Sequence, residues 1–344
     1  MRPQKFPRVL ILFLAATVFL GTILAGAACA DFRFVFLADS RGDSMSAPIN
    51  DQELQSLVND ILLLHPAPDF LVFGGDLCYR GEPAWWSDWD NILNPLAPTP
   101  LYVIKGNHEL YTDIKGHPTA LLANQVKFQT HCQNNYHNPG DTYPPGHDDY
   151  KYLAFSFQFG AGEDKSLFIA LDSFFMWNKD GKDKILYGGL TDTQLAWVED
   201  LLKNAAAQGC KHKFIMTHMP VYTLGSGKNG ANSSMFALAK LMDRYQVDIF
   251  FAGHQHLYDR LFIDKKVNSV FKNTVLHLIS GTAGAQPDKK INSRLKRKTI
   301  LNKYEYVVVD VKGNELEFKA IGGTKDGGYA VIDSCSRQGV WACQ

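Results

Sequence analysis

Eight residues that can bind a metal or move a proton stand just beyond five short apolar runs of this 344-residue chain. Phe34-Val35-Phe36-Leu37-Ala38 leads into Asp39, and Phe70 to Phe73 into Gly74-Gly75-Asp76. Leu101 to Ile104 leads into Gly106-Asn107-His108-Glu109, Phe214 to Met216 into Thr217-His218, and Ile249 to Ala252 into Gly253-His254-Gln255-His256. Oxygen donors mixed with imidazoles suit zinc, manganese or iron better than a thiolate-loving ion. Asp39, Asp76, Asn107, His218, His254 and His256 would crowd a single tetrahedral metal. Two metals sharing one carboxylate use such a set naturally, and paired metals are a recurring device for phosphoester hydrolysis.

Short apolar runs closed by glycine or polar residues read as buried strands. Parallel strands of this kind place ligand groups beyond their carboxyl ends. Between them lie helical patterns, so the chain reads as βα units around a largely parallel or mixed sheet. Asn50 with Glu53 and Thr191 with Gln194 have capping-box spacing. Leu54, Leu57, Val58, Ile61 and Leu62 form one apolar stripe, Leu195, Val198, Leu201 and Leu202 a second, and the segment from Met235 to Tyr245 suggests a third helix. Residues 111–150 are rich in His, Asn, Pro, Gly and Tyr without sustained periodicity, and are expected to form an irregular wall of the site. Tyr304 to Val309 and Glu315 to Ala320 read as an antiparallel pair. Trp85, Trp86 and Trp89 read as helix packing or as part of the pocket lining.

Hydrophobic residues make up 46% and charged residues 20% of the chain, with a net charge of zero, which fits a folded globular protein. Nothing global points to nucleic acid. Arg2, Lys5 and Arg8 precede an apolar stretch from Val9 to Ala28 and then Ala28-Cys29-Ala30, the layout of a secretory signal peptide cleaved after Ala30. The stretch is also long enough for an uncleaved N-terminal anchor. Residues 1–30 are therefore set apart from a single domain over 31–344. Export would allow disulfides, and Cys335 and Cys343, close in sequence, are expected to pair. Cys78 reads as a small buried filler. Six basic residues between Lys289 and Lys298 read as a solvated loop or as an electrostatic funnel over the site mouth.

The ordered set Asp39-x-Arg41, Gly75-Asp76, Gly106-Asn107-His108-Glu109, His218 and Gly253-His254-Gln255-His256 resembles the calcineurin-like metallophosphoesterase superfamily over about residues 31–285. The resemblance implies an α/β fold, a four-layer sandwich of two mixed β-sheets flanked by helices. It implies that Asp76 bridges two metals, that Asp39 and His256 bind the first, and that Asn107, His218 and His254 bind the second. His108 would be no ligand but an acid or transition-state stabiliser, oriented by Glu109. A metal-bridging hydroxide would attack a phosphate monoester, with phosphodiester hydrolysis or a non-catalytic binding role as alternatives. The family's first motif usually carries a histidine where Arg41 stands, and a guanidinium has no lone pair to donate. Gly75-Asp76-Leu77-Cys78-Tyr79 resembles the purple acid phosphatases, whose tyrosinate binds ferric iron. This implies Tyr79 as a ligand and a pair of iron with iron, zinc or manganese. Arg41 then either contacts substrate phosphate or pairs with Asp43. The expected partner is a small phosphorylated substrate. Nucleic acid is not expected, the membrane enters only through an uncleaved N-terminal segment, and the oligomeric state is open.

Overall fold

The computed structural model describes residues 31–161, 165–205, 207–224, 232–289, 291, 293 and 295–344. The expected signal segment, and Lys290 and Arg294 of the basic run, lie outside the described residues.

The continuous apolar character of the strands follows from having no wet face. Along Phe32–Leu37 the side chains alternate: Phe32, Phe34 and Phe36 join one buried cluster, while Val35 and Leu37 join another. Lys165–Leu171 sends Phe168 and Ala170 into the cluster it shares with Phe34, and Leu167, Ile169 and Leu171 the other way. A period of two with both faces buried is the signature of a strand inside a layered stack.

Two seven-stranded sheets result among the described residues. In the first, Phe32–Leu37, Phe70–Phe73 and Leu101–Val103 run parallel. Tyr304–Lys312, Glu315–Thr324, Gly328–Gln338 and Val340–Cys343 continue it antiparallel. In the second, Lys165–Leu171, Cys210–Thr217, Ile249–Ala252 and Val275–Ser280 run parallel. Antiparallel Phe155–Phe159 closes one edge, and Tyr258–Ile263 with Lys298–Ile300 the other. A phenylalanine layer fills the space between the sheets: Phe34 lies 5.2 Å from Phe70 and 5.3 Å from Phe214, and Phe36 lies 4.9 Å from Phe251. Helices α1 (Asp51–Leu62) and α2 (Pro83–Leu93) cover the outer face of the first sheet. Helices α4 (Asp192–Ala205) and α5 (Ser233–Arg244) cover the second, and α3 (Leu122–Asn135) packs Phe128 and Cys132 beside α2. This is the expected four-layer sandwich.

Several local expectations need correction. Residues 111–150 are not irregular throughout: they hold the hairpin Tyr111–Ile114/His117–Ala120 and then α3. Helix α3 buries Asn124 and Gln125 alongside only Phe128 and Cys132 of its apolar residues, so it lacks an apolar stripe to read. The Asn50 side chain caps nothing. It donates to the Gly284 carbonyl at 2.7 Å, and Glu53 accepts from the Lys325 amide at 3.1 Å instead of from Asn50. Thr191 accepts from the Gln194 amide at 3.2 Å, but the Gln194 side chain is committed to Asp172. Cys335 and Cys343 are paired across neighbouring strands as expected, and Cys78, Cys132 and Cys210 are buried free thiols. Among the described residues no helix is long and apolar enough to cross a membrane.

Candidate metal centre

The parallel strands of both sheets end at a common edge, and the loops beyond them bring the sequence-selected residues together. His218 Nε2 lies 3.3 Å from Asp76 Oδ1 and 3.9 Å from Asp39 Oδ1. His256 Nε2 lies 3.7 Å from Asp39 Oδ1, and His254 Nδ1 is 2.9 Å from Asn107 Oδ1. Candidate ligand atoms of Asp76, His218 and His254 all fall within 4.8 Å of one another.

Each side chain is aimed by its backbone. The Asp39 and Asp76 carboxylates accept the amides of His254 and His108 at 2.8 and 2.9 Å. These approaches need bare glycines nearby: a Cβ on Gly253 would meet Asp39 Oδ2 at 2.3 Å, and one on Gly106 would meet Asp76 Oδ1 at 2.2 Å. Asp39, Asp76 and His254 themselves hold left-handed φ of 62°, 56° and 68°, a strain that surrounding structure must enforce. His218 Nδ1 donates to the Gly74 carbonyl at 2.7 Å, which leaves Nε2 turned toward the carboxylates. His108 Nδ1 donates to the Tyr79 carbonyl at 2.7 Å, which points Nε2 at Asp76 Oδ2, 3.9 Å away.

The electrostatics show how strongly the cluster needs positive charge. Burial opposes protonation of His218, but Asp76 and Asp39 outweigh it and raise the imidazole to about 10. Burial would raise Asp76 too, yet His218, His108 and Arg41 hold it well below the carboxylate range, while burial leaves Asp39 well above it. Burial, and then the charge of His218, pushes His254 down to about 3, and burial with Arg41 pushes His256 to about 4. Asp39 Oδ1 and His218 Nε2 are buried without a hydrogen-bond partner. Orphaned polar atoms of this kind, set among oxygen and nitrogen ligands that metals favour, are the pattern expected where metal ions bind.

Arg41 leans over the cluster: its Nε is 3.9 Å from Asp76 Oδ2 and its Nη2 3.5 Å from His256 Nε2, while Asp43 stands 4.0 Å from Nη1. The Asp43 pairing thus finds its partner at the limit of reach, and the contacts with Asp76 and His256 set the guanidinium beside the cluster. Tyr79 is half-buried at the rim, 6.1 Å from the His108 ring, with the Arg80 guanidinium 3.8 Å above its own ring. Glu109 does not orient His108. Its carboxylate accepts the amides of Asp76, Leu77 and Gly106 at 3.0, 2.8 and 2.7 Å and so fastens two of the ligand-bearing turns together. Of the basic run, Arg297 is held by Asp259 and Lys298 by Asp333, while its approach passes the site, the Asp288 amide donating to the His256 carbonyl at 2.7 Å. His131 and His137 lie outside the cluster, near Asp90 and the Leu101 amide, and His277 is buried away from it.

Residues 32–258 match the family described as calcineurin-like phosphoesterase. The chain belongs to that family. Similar proteins include an uncharacterized protein of Mycobacterium tuberculosis, 26% identical over 201 residues covering 56% of this chain and 35% of the relative. A serine/threonine-protein phosphatase of Bos taurus is 25% identical over 232 residues, covering 63% of this chain and 62% of the relative. The chain therefore spans only part of the length of these relatives. A purple acid phosphatase from yellow lupin seeds superposes with a TM-score of 0.64 at 18% identity, covering 89% of this chain and 53% of the other, and supports the fold.

This calcineurin-like phosphoesterase also holds site residues that the sequence reading passed over. Lys105, fully buried just before Asn107, pairs with Asp172 at 2.8 Å and donates to Gln125, and Gln194 brackets the Asp172 backbone with two 2.9 Å bonds. Asp172 follows a sixth apolar strand, Lys165–Leu171, so the strand-end rule pointed to it. Its turn delivers Phe174, whose ring lies 5.6 Å from His218 and 5.4 Å from His254.

Proposed function

We propose that this protein is an exported, dinuclear metal-dependent phosphoesterase acting on small phosphate monoesters. The observation that carries the reading is the convergence of buried, unpartnered Asp39 Oδ1 and His218 Nε2 with Asp76 and His254 beneath Arg41 and His108. In this reading Asp76, Asp39, His256, Asn107, His218 and His254 would hold the ions, and Tyr79 would join them if one ion is ferric. When bound, the ions supply an activated water and neutralise phosphate charge. Arg41 presents a planar fork of donors to the phosphate. His108, fixed through Nδ1 by the Tyr79 carbonyl, turns Nε2 toward the reacting group and gives a proton to the departing oxygen. Burial lowers His108, which makes it a readier proton donor once charged. The basic, apolar and small-residue layout of residues 1–30 supports export.

Elemental analysis with a visible spectrum, followed by paired assays on p-nitrophenyl phosphate and bis-p-nitrophenyl phosphate, tests this. About two metals per chain and faster monoester turnover are expected, and a tyrosinate-to-ferric band would assign Tyr79. Preference for the diester would replace the monoesterase reading. A chain that binds under about one metal and stays inactive with added manganese, zinc or iron would instead be a binding protein of the same fold.

A further inference from the structure

The mouth of the site is chemically lopsided. Arg41 stands over Asp76 and His256, but beyond His108 and His254 the walls are aromatic. The Tyr111 ring stands edge-on to His108 at 6.0 Å and 84°. Tyr187 lies 6.2 Å from His254 and edge-on to Phe174 at 4.8 Å. Tyr187 keeps 52% of its surface exposed, although burial of the remainder pushes its hydroxyl up to about 12, with Tyr111 and Asp76 adding to the rise.

The two rings are mounted, not loose. Tyr111 opens the hairpin Tyr111–Ile114/His117–Ala120, and Tyr187 follows the hairpin Met176–Lys179/Lys182–Ile185. Leu110, Phe174 and Met176 form one small apolar cluster against which Ala120 of the first hairpin and Ile185 of the second pack. Arg80, stacked on the Tyr79 ring, is already engaged by Asp113 at 3.1 Å and by the Tyr79 carbonyl at 2.7 Å.

We propose that Tyr111 and Tyr187 wall a leaving-group subsite that takes a planar ring, so that preferred substrates are small phosphate monoesters of nucleosides or aromatic alcohols. The proposal rests on the reading of His108 as proton donor: the departing oxygen then leaves past His108, between the two tyrosines. Rings stack on aromatic faces with an energy that sets selectivity without fixing a hydrogen-bond pattern.

The test compares kcat/KM of the full chain on adenosine 5′-monophosphate, 1-naphthyl phosphate and glycerol 2-phosphate. Adenosine monophosphate against the glycerol ester is the decisive pair, because both release aliphatic alcohols; the naphthyl ester separates aryl from nucleoside preference. About a tenfold advantage for the ring esters is expected. Tyr187→Ala should raise KM for them at least about five times more than for the glycerol ester, and Tyr187→Phe should restore it. Equal turnover of all three, or equal losses in Tyr187→Ala, overturns the subsite while leaving phosphatase activity standing. If no monoester is cleaved, the proposed function fails. Fluorescence titration of metal-free protein with 1-naphthyl phosphate then decides the subsite, and equal affinity in wild type and Tyr187→Ala refutes it.

Discussion

Single side chains carry the chemistry, and two of them make opposite predictions. The His108 side chain is held by a backbone carbonyl and comes no nearer to Asp76 than 3.9 Å, so His108→Ala should keep its metal and lose about a hundredfold or more in kcat. Loss of metal by elemental analysis would refute that assignment. His218, raised to about 10, carries a proton at neutral pH in the metal-free protein. A metal must displace it, so loading should release at least about one proton per chain. Calorimetric titration in two buffers of different ionisation enthalpy measures this, and buffer-independent heats would contradict it. The cluster residues were legible because Asp, Asn and His at strand ends have few other reasons to recur. Glu109 was misread because sequence spacing places it beside His108 but cannot show that its oxygens turn back to three amides.

Elements decide whether those side chains meet. The fully buried Lys105–Asp172 pair joins the turn before Asn107 to the turn before Phe174. Removing one partner strands a buried charge, so Lys105→Met should cost about 3–5 kcal/mol in urea unfolding, and adding Asp172→Leu should recover much of it. An unchanged unfolding midpoint in the single variant would show that the pair is dispensable. Strands and the amphipathic helices were readable from their periods of two and 3.6. Helix α3 and the two site hairpins were not. The helix buries amides instead of an apolar stripe, and the hairpins, mostly exposed, owe their apolar contacts to a cluster assembled from distant segments.

At the scale of the whole molecule the antiparallel half of the first sheet reaches back to the site through Glu305. It accepts from Ser280 at 2.7 Å and Thr282 at 3.2 Å, in the turn whose Ala283 and Ala285 amides bond the Ala38 and Asp39 carbonyls. Burial raises Glu305 from 4.5 to about 8, so the folded state binds this proton more tightly than the unfolded chain. Its contribution to stability is therefore complete below about 4.5 and is lost as pH rises through about 8. Glu305→Gln should flatten the fall in unfolding free energy across that window, and an unaltered slope would assign the fall to other groups.

The candidate ligands come from both sheets, and the phenylalanine-rich layer packed between those sheets helps set how far apart they stand. Phe34, Phe70, Phe168, Phe214 and Phe251 thus act as part of a spacer between the two sets of candidate ligands. Close-packed interiors answer a lost ring by shifting, not by staying hollow. Shaving that layer would shift the candidate ligands of one sheet against those of the other, and so alter the shape of the site without changing a single candidate ligand.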